Sequence, residues 1–213
     1  DDGCTLIVAD YDQIELRVMA MYSRDENMMG IFTTDTDIHA GAAALIFTKP
    51  VEEVSADERQ IGKAANFLTA YGGGAGKLSA TAGIPLTHAK HVINRYYEQF
   101  SGLTSWKRRV VDRARRDGFV TTISGRRRRL PDMLSASEEL RSRAERQAIN
   151  AVVQGSASDI CKKAMIKAYP EIKGINGRLL VQVHDELVVS VPDDDEVNCY
   201  VDTLRMSMGH GRI

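Results

Sequence analysis

Cysteine is scarce in this chain of 213 residues: Cys4, Cys161 and Cys199 stand far apart, with no metal-type spacing. That argues against a disulfide framework and fits reduced thiols in a cytosolic compartment. Long apolar runs are missing too. Runs such as residues 6–9 and 187–189 are far too short to cross a bilayer. No basic-then-apolar leader opens the chain, so nothing points to secretion or to a membrane. Internal repeats and low-complexity linkers are absent, which leaves one compact unit or two closely packed subdomains. A net charge of −1 gives no overall attraction to nucleic acid.

The charge is nevertheless unevenly placed. Residues 1–58 carry thirteen acids against three bases, whereas 107–129 carry ten bases against Asp112 and Asp117. A basic cluster of that density can track a phosphate backbone. It reads equally well as a solvated helix face followed by a basic loop.

Local rules place most elements. Residues 5–9 form an apolar strand ending at Asp10, with a helix over 13–21 behind it. Asp37 is placed to cap a helix over 38–47. Ser55 and Glu58 make a capping box for a helix reaching about Tyr71, where Gly72, Gly73 and Gly74 stop it. Two helices over 87–117 break near Ser101 and Gly102. Residues 120–129 are extended or looped, turning at Pro131 and Asp132. A helix over 137–153 continues, after a break near Gly155, to about Tyr169. Finally, residues 179–183 and 187–191 form a hairpin with His184, Asp185 and Glu186 at its tip.

Asp10 and Asp185 thus both stand at strand ends. Strand ends of one sheet can lie side by side, and two convergent carboxylates repel unless cations neutralise them. Hard oxygen ligands of this kind suit Mg²⁺. Taken singly, each acid is an ordinary turn or cap residue. On the helix after Ser55, Arg59, Lys63 and Phe67 recur every four residues and Tyr71 continues the series. The first three share a gently drifting face, roughly 12 Å from end to end. That reach suits a nucleoside triphosphate, with cations for phosphates and a ring for sugar or base. An amphipathic helix with surface cations explains the same pattern.

The order of these motifs resembles family A (Pol I-like) DNA polymerases across nearly the whole chain. Asp10-Tyr-Asp-Gln-Ile-Glu-Leu-Arg17 resembles their motif A. Arg59, Lys63, Phe67 and Tyr71-Gly72 resemble motif B, and Val183-His-Asp-Glu186 resembles motif C. Further matches are Asp37-Ile-His39, residues 125–128 with Pro131-Asp132, and residues 150–155. The resemblance implies an α/β chain of the α+β type, with a small antiparallel palm sheet and a mostly helical fingers subdomain. Residues 1–36 would be the first part of the palm, 37–136 the fingers (motif B helix about 56–71), and 137–213 the second part of the palm, truncated at both ends.

The resemblance also supplies roles. Asp10 and Asp185, with the Tyr11 carbonyl, would hold two Mg²⁺ ions, and Glu186 would support them. Arg59, Lys63 and His39 would contact the triphosphate, Lys63 as part of the catalytic set, with Gln13 nearby. Phe67 would pack on the nucleotide and Tyr71 beside the templating base. Glu15 would fill the space a ribose 2′-hydroxyl needs. Arg146, Asn150, Gln154 and His184 would touch primer–template near the growing end, with Arg126 and Arg128 on the template backbone. The partners implied are primer–template DNA, deoxynucleoside triphosphates and an upstream thumb and exonuclease segment, in the cytoplasm of a bacterium or phage-infected host.

Several features depart from the family pattern or mimic other ones. Asp12 stands where the family commonly has serine, and either faces solvent or alters metal affinity. The tail after Met206 does not resemble the family's closing strands. Residues 72–78 superficially resemble a phosphate-binding loop, but Tyr71 occupies its first glycine and Leu78 its hydroxyl position. His88 and His91 read as surface helix residues, and Trp106, Tyr96, Tyr97 and Phe100 as core. An RNA polymerase or reverse transcriptase is the nearest rival enzyme, and Glu15 argues against it. A non-catalytic DNA-binding remnant, or half of a split polymerase needing its partner, is the rival of another kind.

Overall fold

The structure is a computed structural model that describes residues 3–193 and 197–209. Three strands make the main sheet: β1 (Cys4–Asp10), β4 (Arg178–Val183) and β5 (Glu186–Pro192), in the order β1-β5-β4 and all antiparallel. Alternation governs the edge strand β1, where Ile7 is buried while Leu6 and Val8 are exposed. The central strand is buried almost throughout at Leu187, Val189, Ser190 and Val191. A second, two-stranded sheet pairs β2 (Phe119–Thr121) with β3 (Arg127–Arg129).

The remaining elements are helical. The helices α1 (Ile14–Ser23), α2 (Glu26–Thr33), α3 (Ile38–Phe47), α4 (Ala56–Ala70), α5 (Ala75–Ala82), α6 (Leu86–Gln99) and α7 (Ser101–Asp117) lie between β1 and β2. Local chemistry explains their starts. The Asp37 carboxylate accepts the His39 and Ala40 amides at the start of α3, and Ser55 and Glu58 complete the expected capping box of α4. Tyr96, Phe100 and Trp106 are core residues, as expected, and Tyr97 is partly buried against that core. Among the described residues no helix is long and apolar enough to cross a membrane.

Helices α8 (Glu138–Gly174) and α9 (Val197–Met208) flank the hairpin. The expected break near Gly155 is absent, and α8 runs on without interruption. Gly155 serves a close approach instead: a Cβ there would lie 2.6 Å from the Thr122 Cγ2 beside β2. Helices α2, α5 and α9 were not anticipated. The glycine-rich stretch after Tyr71 is a turn with Gly72 at φ 74° that leads straight into α5, with no phosphate-binding geometry of its own required. Of the tail after Met206, α9 covers residues as far as Met208, while 210–213 lie outside the described residues.

Candidate active site

Strand pairing brings the two motif aspartates together. Asp10 is the register partner of Glu186, and the Tyr11 amide donates to the Asp185 carbonyl oxygen at 3.4 Å. His184 turns the hairpin with a positive φ of 54°. Burial, and then the nearby Asp185 carboxylate, raise the Asp10 pKa above the ordinary aspartate value. Those carboxylates border a cavity of about 370 Å³ whose lining includes Tyr11, Gln13, Glu15, Phe67, Tyr71 and His184. A larger cavity of about 640 Å³ between α1 and α2 is lined by Met21, Met29 and Phe32 and contains no carboxylate pair.

The donor set at the strand ends is oxygen only. Among the described residues no cluster of three or more His, Cys, Asp or Glu could enclose a metal. Two carboxylates in mutual repulsion fit Mg²⁺, which keeps several waters and completes its shell with substrate phosphates. The Tyr11 side chain points elsewhere, its hydroxyl donating to the Met208 carbonyl at 2.9 Å. Asp12 is exposed and ion-paired with Arg17 at 2.9 Å, yet it still contributes to the upward push on Asp10.

Helix α4 packs its small face inward. A Cβ on Gly62 would meet the His39 carbonyl oxygen at 2.5 Å, so only glycine lets α4 approach α3 this closely. Ile61, Ala64 and Ala65 are buried with it, which leaves Arg59, Lys63 and Phe67 on the exposed face. At the far end of α4, the Tyr71 hydroxyl donates to Glu15. Burial, then that carboxylate, push the Tyr71 pKa up to about 12, and a hydrogen bond with Gln154 opposes them.

Two expected nucleotide contacts are held differently from the simple sequence picture. Arg59 forms a bidentate pair with Asp37, at 3.1 and 2.7 Å. His39 is 2% exposed, its Nδ1 lying 3.1 Å from Asn66 and its ring packed on Phe67. Its Nε2 has no hydrogen-bond partner. Burial lowers its pKa, with the Arg59 and Lys63 cations helping and Asp37 opposing.

A family model described as DNA polymerase family A matches residues 1–212. The chain belongs to that family. Its similarity to DNA polymerase I of Thermus filiformis is 42% identity over 194 residues, covering 91% of this chain and 23% of that protein. Against DNA polymerase I of Bacillus subtilis it is 43% over 192 residues, covering 89% and 22%. A solved structure described as the POL domain of Pol1 from M. smegmatis, in complex with DNA primer-template and dNTP, superposes with a TM-score of 0.92. It is 40% identical and covers 99% of this family A chain and 38% of that one. The chain therefore spans about a quarter of the length of the curated relatives it matches.

A third concavity of this family A chain, about 620 Å³, is lined by Arg126, Arg127, Arg128, Gln147, Asn150, Gln154 and Ser158. Arg126 is pinned there: its Nε donates to Asp159 at 2.6 Å and its Nη2 to the Gly155 carbonyl at 3.0 Å. Asp159, 5% exposed, also accepts the Thr122 hydroxyl at 2.5 Å. Arg146 lies apart from this groove, its stem packed against Gly72 and its Nη1 donating to Ser142 at 2.7 Å. Sequence reading missed Asp159, Thr122 and Asn66. The spacing of Asp159 on the same helix as Asn150 and Gln154 was the one available signal, and burial decides its role.

Proposed function

We propose that this chain is the catalytic core of a template-directed DNA polymerase that adds deoxynucleotides to a primer 3′-hydroxyl. The observation that carries the reading is the adjacency of Asp10 and Asp185 at neighbouring strand ends, in one cavity with Glu15, Phe67 and Tyr71. Residues 1–36 and 137–213 form the palm in this reading, and 37–136 the fingers.

Asp10, Asp185 and the Tyr11 carbonyl would hold two Mg²⁺ ions, with Glu186 beside them. When bound, such ions lower the pKa of the attacking hydroxyl and neutralise the departing pyrophosphate. The chain's own residues do the rest. Arg59 exchanges its exposed Asp37 partner for triphosphate oxygens, and Lys63, one turn on, adds a second cation. The unpartnered Nε2 of His39 is a donor with no other bond to lose, although its ring must become accessible to phosphate. Gln13 lines the cavity below. Phe67 packs on the incoming nucleotide and Tyr71 stands beside the templating base. Glu15, fixed by the Tyr71 hydroxyl, fills the space a ribose 2′-hydroxyl would take. Duplex is gripped by Arg146, Asn150, Gln154 and His184, with Arg128 and the pinned Arg126 on the template backbone.

An upstream thumb and exonuclease segment is the expected partner, in replication or repair within a bacterial or phage-infected cytoplasm. Primer extension with Mg²⁺, by this chain alone and with such a segment, tests the proposal. Asp10→Asn should lower extension about 10³-fold, since metal-held charge stabilisation is worth several kcal/mol. Glu15→Ala should raise ribonucleotide incorporation about 10- to 100-fold relative to deoxynucleotide. No extension in either format would favour a DNA-binding remnant, and unchanged sugar selectivity would remove the assignment of Glu15.

A further inference from the structure

The basic run of α7 reads in sequence as a surface feature, but one of its members faces inward. The Lys107 Nζ donates to the Thr69 carbonyl oxygen at 2.5 Å, in the last turn of α4, and stands 5.7 Å from the centre of the Tyr97 ring. Burial draws its pKa down to about 8, and no carboxylate among the described residues opposes that fall. A half-buried ammonium without a counter-charge is a cost that leucine or methionine at this position would avoid. What the ammonium meets is the negative end of the α4 dipole. Cations at a helix C-terminus bind the last carbonyls, and here the carbonyl belongs to the helix that carries Lys63, Phe67 and Tyr71.

The two ends of α4 are held by different contacts, and at its start Lys49 also pairs with Glu58 at 2.7 Å. At its start, Arg59 and Asp37 form a pair in which each side chain is 45% exposed, so water and other anions compete for it. At its end stands the sheltered Lys107 contact, followed at once by Gly72 with its positive φ.

We infer that Lys107 is a positioning residue for the nucleotide site: by pinning the last turn of α4 at Thr69, it fixes where Phe67 and Tyr71 stand relative to Asp10 and Asp185. The inference rests on the reading of α4 as the nucleotide-binding helix. Lys107 itself touches no substrate.

The test uses the full chain and its Lys107→Met and Lys107→Arg variants, with two readouts. In steady-state primer extension, Lys107→Met should raise the KM for dNTP about tenfold while kcat changes less than about threefold, as expected for one lost charged hydrogen bond. Lys107→Arg, which keeps the cation, should restore most of that loss. In hydrogen–deuterium exchange, the amides of Tyr71, Gly72 and Gly73, bonded to Phe67, Thr69 and Leu68 carbonyls, should exchange about tenfold faster in Lys107→Met. The amides at the start of α4 should be unaffected. A merely structural lysine would instead lower the unfolding midpoint and kcat together. If Lys107→Met fails to fold, Lys107→Gln, uncharged and one bond shorter, takes its place in both experiments. Unchanged KM and unchanged exchange in the neutral variant overturn the inference. If the wild type itself neither extends primers nor binds dNTP, the polymerase reading falls, and the exchange experiment still decides whether Lys107 pins α4.

Discussion

Replacing Gly155 by alanine sets two effects of similar size against each other. In the interior of α8, alanine should be favoured over glycine by about 1 kcal/mol. Against that, the new Cβ would lie 2.6 Å from the Thr122 Cγ2, inside the closest approach of real carbon atoms. Thr122 cannot simply rotate away. Its hydroxyl is committed to Asp159 at 2.5 Å and its amide to the Arg126 carbonyl at 3.0 Å. Turning the side chain would take a donor from a buried carboxylate, at about 1–3 kcal/mol. Shifting the β2–β3 hairpin instead costs a similar overpacking penalty, about 1–3 kcal/mol. The clash should win, leaving Gly155→Ala less stable by about 1 kcal/mol after the propensity gain. Urea unfolding of Gly155→Ala, Thr122→Ser and the double variant measures this. Serine keeps the hydroxyl and removes Cγ2, so alanine at 155 should become stabilising in the serine background, with a coupling of about 1–2 kcal/mol. A stabilising Gly155→Ala in the wild-type background, or coupling under about 0.5 kcal/mol, would refute the reasoning. Because the same contact seats Arg126 to Arg128, the single variant should also weaken DNA binding.

Two further outcomes follow from the ends of α3 and α4. Asp37→Asn keeps a good helix cap but releases Arg59, so stability measured in urea should change by less than about 1 kcal/mol, whereas Asp37→Ala should cost about 1–2 kcal/mol. In a dNTP titration, Asp37→Asn should bind nucleotide no more weakly than the wild type. For His39, burial holds the folded-state pKa below the ordinary value of 6.5, so the unfolded chain takes up the proton more readily. Its contribution is therefore intact above about pH 6.5 and is lost as the pH falls below it. Thermal melts of the wild type should show that acid sensitivity between pH 7 and 5, and His39→Gln should flatten it.

Features that depend on near neighbours were legible in the sequence. The Asp37 cap, the Ser55–Glu58 capping box, the strand ending at Asp10 and the hairpin tip at Asp185 each obey a rule spanning a few residues. The exposed face of Arg59, Lys63 and Phe67 followed from helical period alone. Failures came where a distant partner overrides local preference. Gly155 reads as a helix break because glycine weakens helices, yet its missing Cβ is what lets α8 lie on Thr122. Lys107 reads as one solvated cation among many until α4 supplies a carbonyl for it.

By itself the sequence determined which side chains are candidates for the chemistry and on which kind of element each one sits, since propensity, capping and period act over a turn or two. Only the tertiary structure decided that Asp10 lies beside Asp185, that Asp37 holds Arg59 and that His39 is enclosed. Those facts are set by strand register and helix packing between segments far apart along the chain, where burial and close contact outweigh any local preference.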